Sequence, residues 1–129
     1  MTSMDCDAPL HPAARSGLAL FNAGEYFEAH EALESAWRDE PGPIRGLYQG
    51  ILQVAVTYLH IQRGNYGGAI KVAARCQPKL AAWPDNCRGV AVAQLRQDLV
   101  EVLEALRRLG PQQVKHFDQR LFKKIQFTA

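Results

Sequence analysis

Glu28, His30, Glu31 and Glu34 fall inside the twelve residues "YFEAHEALESAW" (26–37), a stretch whose apolar positions recur with helical spacing. On a helix that advances about 100° per residue, His30 and Glu34 lie about 40° apart, with Glu31 adjacent and Glu28 further round. Neighbouring turns thus offer an imidazole and a carboxylate to one ion. The pattern His-Glu-x-x-Glu replaces the second histidine of the zincin motif by a carboxylate, which zinc, iron or manganese accepts. It is not a zincin, and it is not a ferritin-type site, because Phe27 stands where Glu-x-x-His needs an acid. The same spacing also describes an i, i+4 hydrogen bond on a half-exposed helix, so the motif alone leaves both readings open.

A second set lies downstream. Gln49, Gln53 and His60 recur at i, i+4 and i+11 in a segment otherwise built from Leu47, Ile51, Leu52, Val54, Val56 and Leu59. Their directions fall within about 40° of one another, a polar stripe on an apolar helix. An unpaired buried amide or imidazole costs roughly 1 to 3 kcal/mol, so the stripe needs solvent or polar partners. The short connection "DEPGP" favours antiparallel pairing of the two helices, which makes the acids of residues 28–34 the expected partners. His30, Glu34 and His60 are the expected metal ligands and Glu31 the base that activates a bound water. Glu28, Arg45, Gln49, Gln53 and Asn65 form the surrounding set or touch substrate.

The elements that must carry these residues are helical throughout. No segment alternates apolar and polar residues for the length of a strand, whereas period 3.6 recurs from about residue 10 to 109. The spacing predicts five helices: about 10–22, ending at Gly24; 25–38; 43–63, opened by Pro43 and ended by Gly64; a fourth from Asn65 as N-cap toward Pro84; and a fifth that ends at "LGP". "LFNAGEYFEAHEAL" and "HIQRGNYGGAIKVA" align at an offset of forty, so that Gly24 meets Gly64 and Tyr26 meets Tyr66. Two helix–glycine–helix units are fewer than a solenoid needs, and a compact all-α bundle of antiparallel hairpins is expected. The expected organisation is a flexible segment 1–9, with residues 1–8 poorly ordered, a bundle over 10–110, and a basic tail 111–129. Phe117, Leu121, Phe122 and Ile125 give the tail an apolar face that packs on the bundle.

Composition narrows the classes. With 129 residues, 47% hydrophobic, 22% charged and a net charge of +2, the chain is a single soluble globular domain. That balance argues against nucleic-acid or membrane binding, although the tail mixes Lys115, Arg120, Lys123 and Lys124 with phenylalanines. "MTSMDCDAPLHPAA" lacks the basic and apolar regions of an export signal, and no segment is apolar enough to span a bilayer of about 30 Å. Cys6, Cys76 and Cys87 have no metal-type pairing and read as reduced thiols of a cytoplasmic protein, without a Cys76–Cys87 bond. Trp37 is expected in the core and Arg45 beside an acid.

"FNAGEYFEAHEALESAWR" followed by "RGLYQGILQVAVTYLHIQRGNYGGA" resembles the family called domain of unknown function 309, small all-helical proteins labelled predicted metal-dependent hydrolases. The similarity covers about residues 15 to 80. The resemblance implies an all-α fold and residues of interest at Glu28, His30, Glu31, Glu34, Trp37, Arg45, Gln49, Gln53, His60, Asn65 and Gly68. It supplies no substrate. Two functions follow. One is a metal-dependent hydrolase of a small substrate, with zinc, iron or manganese as cofactor. The other is a non-enzymatic helical interaction module whose His/Glu/Gln cluster is a structural hydrogen-bond network. A small-molecule substrate, a protein partner and a homo-oligomer all remain open as partners.

Overall fold

The computed structural model describes residues 5–128. Five α-helices form the body: α1 (Pro12–Asn22), α2 (Tyr26–Asp39), α3 (Arg45–Gln62), α4 (Tyr66–Ala81) and α5 (Val92–Leu109). The fold is all-α, and the helices start and stop within about three residues of the positions the periodicity predicts. The principal contacts run α1 on α2, α2 on α3 and α3 on α4, with α5 closing the bundle. One apolar core includes Leu18, Phe21, Leu33, Leu47, Ile51, Val54, Tyr58, Leu80, Leu95, Leu99 and Leu103. Among the described residues no helix is long and apolar enough to cross a membrane.

The forty-residue echo has a backbone cause. Gly24 (φ +80°) and Gly64 (φ +74°) both adopt the left-handed conformation. In each turn the next amide closes a six-residue loop, Glu25 N–H to Leu20 O at 2.9 Å and Asn65 N–H to His60 O at 2.8 Å. These are Schellman-type helix ends, and each uses orphan carbonyls of the finished helix while starting the next one. Where α4 ends, Arg96 of α5 supplies the donors, its Nη1 reaching Leu80 O and Trp83 O at 3.0 and 2.9 Å.

Between α4 and α5 lies an element the periodicity did not reveal, a hairpin of β1 (Asn86–Cys87) and β2 (Val90–Ala91). Its two-residue loop is Arg88-Gly89, both at positive φ (50° and 79°), as in the primed turns that match strand twist. Each strand is two residues long, too short for an alternating pattern to register.

The expectation of three reduced thiols is corrected here: Cys6 and Cys87 form a disulfide, and Cys76 is the free, buried cysteine. The pair is separated by 81 residues. Only the docking of the N-terminal segment on the hairpin brings it together, and no local spacing signals that. Closing so long a loop restricts the unfolded chain by about 4.5 kcal/mol in the chain-entropy account. Residues 1–4 of the segment expected to be poorly ordered lie outside the described residues. Asp5 and Cys6 are tied to the hairpin, and the Arg88 amide donates to Cys6 O at 2.7 Å.

Beyond α5 the chain runs through two 3-10 turns, Pro111–His116 and Gln119–Leu121. Phe122 stacks on Tyr58 with ring centroids 4.4 Å apart and on Phe117 at 5.2 Å. Tyr58 in turn meets Tyr26 and Phe21, so an aromatic ladder joins the tail to α1, α2 and α3. The Asn22 side chain clamps the tail backbone, accepting from Ile125 N–H at 2.8 Å and donating to Ile125 O at 3.1 Å. Phe122→Ala should therefore lower stability by about 2 kcal/mol in chemical denaturation. Phe127→Ala, at a side chain 55% exposed, should change it by less than about 0.5 kcal/mol.

Candidate functional site

α2 and α3 run antiparallel, which contacts at both ends of the pair show. At one end the Arg45 guanidinium lies 4.8 Å over the Trp37 ring, and at the other Arg63 lies 6.0 Å from the Phe27 ring. Arg45 thus takes an indole face; among the described residues it forms no ion pair with the acids expected beside it.

Two members of the polar stripe of α3, His60 and Gln53, find partners at the N-cap of α4 and along that helix. The Asn65 side chain caps that helix, its Oδ1 accepting from Gly68 N–H at 2.9 Å. Its Nδ2 is thereby the donor that meets His60 Nδ1 at 3.2 Å, which makes Nδ1 the acceptor and leaves the ring proton on Nε2. Gln53 Oε1 accepts from Lys79 Nζ of α4 at 3.4 Å. The reason lies in the glycines beside the stripe. A Cβ on Gly50 would sit 2.9 Å from Leu80 Cδ2, and one on Gly68 would sit 2.6 Å from Asn65 Nδ2 and 2.9 Å from His60 Cε1. Bare backbone at these positions lets α3 and α4 approach closely, and the polar side chains between them meet α4.

The residues of α2 remain on their own helix. Glu28 and Glu31 are exposed, and Glu34 pairs with Arg38 one turn on at 3.3 Å. His30 lies beside Phe27, rings 5.9 Å apart, and among the described residues its buried Nδ1 has no hydrogen-bond partner. Gln49 is half-buried. Among the described residues no three His, Cys, Asp or Glu side chains converge as metal ligands. Of the expected ligands, Glu34 Oε1 is paired with Arg38 and His60 Nδ1 with Asn65, whereas His30 Nδ1 has no partner among the described residues.

Burial and the charge of Arg63 hold the His60 pKa below the ordinary histidine value of 6.5, burial being the larger cause. The unfolded chain takes up a proton at the ordinary value and the folded chain only at lower pH. The stability His60 contributes is therefore whole above pH 6.5 and is lost as pH falls through the folded value. An NMR titration should place His60 below 6.5, and Arg63→Gln should raise it partway, since that removes the smaller cause.

A second polar cluster, absent from the sequence reading, centres on Arg88. Its side chain is 6% exposed. Nε donates to Asp5 O at 2.8 Å, Nη1 to Pro9 O at 3.2 Å and to Tyr48 Oη at 3.1 Å, and Nη2 to Asp5 Oδ2 at 2.6 Å. Glu40 Oε1 lies 3.8 Å from Nη1, and the His11 amide donates to Tyr48 Oη at 2.9 Å. One guanidinium thus joins the N-terminal segment to α3 and to the α2–α3 connection. Beside it opens a cavity of about 390 Å3, lined among others by Cys6, Pro9, Arg15, Arg88 and Phe127. The available signal was "CRG", a cysteine and a turn dipeptide flanking a charge, whose partners lie 79 and 83 residues away. Arg88→Met should cost about 3 kcal/mol in denaturant unfolding, because it strands buried acceptors and the Glu40 carboxylate.

Residues 14–72 match the family described as Domain of unknown function (DUF309). An uncharacterized protein of Aquifex aeolicus (strain VF5) is 29% identical over 99 residues, 74% of this chain and 29% of that protein. The uncharacterized protein YpuF of Bacillus subtilis (strain 168) is 41% identical over 51 residues, 39% of this chain and 29% of that one. The chain therefore spans under a third of the length of either curated relative. No solved structure matches the chain significantly.

Proposed function

We propose, from the match of residues 14–72 to the DUF309 family, that the chain is a non-enzymatic helical interaction module. One observation carries this reading: His60, Gln53 and Glu34, three of the polar side chains expected in a site, are taken up by hydrogen bonds and an ion pair within the fold. His60 meets Asn65, Gln53 meets Lys79 and Glu34 meets Arg38. Such a network fixes the register of α3 against α4, since sliding either helix would strand half-buried polar groups. The surface left for a partner is the outer face of α2. There Phe27 is 44% exposed beside the exposed Glu28 and Glu31.

The rival reading, a hydrolase with His30, Glu34 and His60 around zinc, iron or manganese and Glu31 as base, has one observation in its favour. His30 Nδ1 is buried with nothing to bond to. A cytoplasmic setting remains part of the proposal, and there the Cys6–Cys87 bond would be exposed to reduction.

Elemental analysis of protein purified without a histidine tag separates the two functions. The module should carry no stoichiometric divalent metal, and zinc or manganese should leave its melting temperature unchanged. His60→Ala should lower stability by about 1 kcal/mol through the lost hydrogen bond. One metal per chain, a melting temperature that rises with added metal, and loss of both in Glu34→Gln would establish the hydrolase site instead.

A further inference from the structure

We propose that the Cys6–Cys87 disulfide is a thiol-exchange site for a low-molecular-weight thiol, and that its reduction releases the N-terminal strap of residues 5–10 from Arg88. The two cysteines differ in exposure, and only Cys6 is among the residues that line the cavity. Cys6 is partly exposed and lines the 390 Å3 cavity, whereas Cys87 is 2% exposed. That volume falls in the range of small-molecule pockets, roughly 300–1,000 Å3. A thiol entering it meets Cys6 first.

The exchange proceeds in two displacements. A small-molecule thiolate attacks Cys6 Sγ. A bond forms between the two sulfurs, the Cys6–Cys87 bond breaks, and Cys87 leaves as a thiolate that takes a proton from water. A second thiolate then attacks the small-molecule sulfur of the mixed disulfide, which releases the oxidised small-molecule disulfide and leaves Cys6 as a thiolate. Two thiols are oxidised and one protein disulfide is reduced. Cys76 stays outside this chemistry. It is buried, its Sγ donates to Gly50 O at 3.1 Å, and burial pushes its pKa up to about 12.

The consequence follows from what the strap does. Cys6 O accepts from the Arg88 amide, Asp5 O and Pro9 O accept from its guanidinium, and Asp5 Oδ2 completes the pair. The Asp5 side chain is 63% exposed, so without the covalent link the strap is held by a solvent-screened ion pair, a few backbone acceptors and the partly buried Cys6 and Leu10 side chains. Opening the strap frees Arg88 donors now spent on it and uncovers Tyr48 Oη, while the α1–α5 core is untouched.

Glutathione is the probe. Incubated with the intact chain, it should give a mixed disulfide that peptide mapping places on Cys6. After full reduction the amides of His11 and Arg88, which donate to Tyr48 Oη and Cys6 O, should lose at least about tenfold more protection than the helix-core amides, whose own loss reports the loop closure that the bond no longer provides. Cys6→Ser, which can form no adduct, should reproduce that local loss of protection. An adduct on Cys87 or Cys76, or no reaction without denaturant, would overturn the exchange site. Acceleration of the helix-core amides equal to that of His11 and Arg88 would make the bond a global staple and overturn the strap, as would unchanged exchange in Cys6→Ser.

Discussion

Helix α3 is buried on two sides, and that constraint organises the rest of the molecule. An apolar helix between α2 and α4 cannot leave amide and imidazole groups without partners, because each would carry a desolvation cost of 1 to 3 kcal/mol. Its polar groups must therefore meet the neighbour that has matching donors and acceptors. α4 has them at its N-terminus and along its near face, in Asn65 and Lys79. α2 turns apolar Ala29, Leu33 and Ala36 inward and keeps Glu28 and Glu31 outside. The two sets of residues that seemed to form one site are thus divided between two interfaces of the same helix.

The Arg88 cluster solves a different problem. The hairpin that returns the chain to α5 is only two residues long on each side and buries one side chain per strand, Cys87 and Val90, so its own pairing is too short to hold it in place. A buried guanidinium with acceptors on the strap, α3 and the α2–α3 connection fixes it from three directions, and the disulfide adds a covalent one. The positive φ of Arg88 is a local cost for a non-glycine residue, offset by the five-donor fork that this turn aims inward. The strap, the hairpin and the tail converge at this end of the molecule, where Thr128 N–H reaches Gly89 O and Ala91 N–H reaches Gln126 O.

What the sequence by itself determined is whatever depends on neighbours within a few turns of chain. The five helices, the left-handed glycines at 24 and 64, the Asn65 cap and the apolar face of α5 are all local. Each follows from 3.6-residue periodicity or from the backbone freedom of one residue. The DUF309 likeness rests on the same stretch, residues 14–72. Which face of α3 met which helix was not local. The angles of Gln49, Gln53 and His60 were legible, but they say only that the three point the same way. The side they faced was decided by Gly50 and Gly68, whose missing Cβ atoms set how close α4 could come. The Cys6–Cys87 bond and the Arg88 network were invisible for the same reason. Their partners are about eighty residues apart in sequence, and only a folded chain brings such groups within bonding distance.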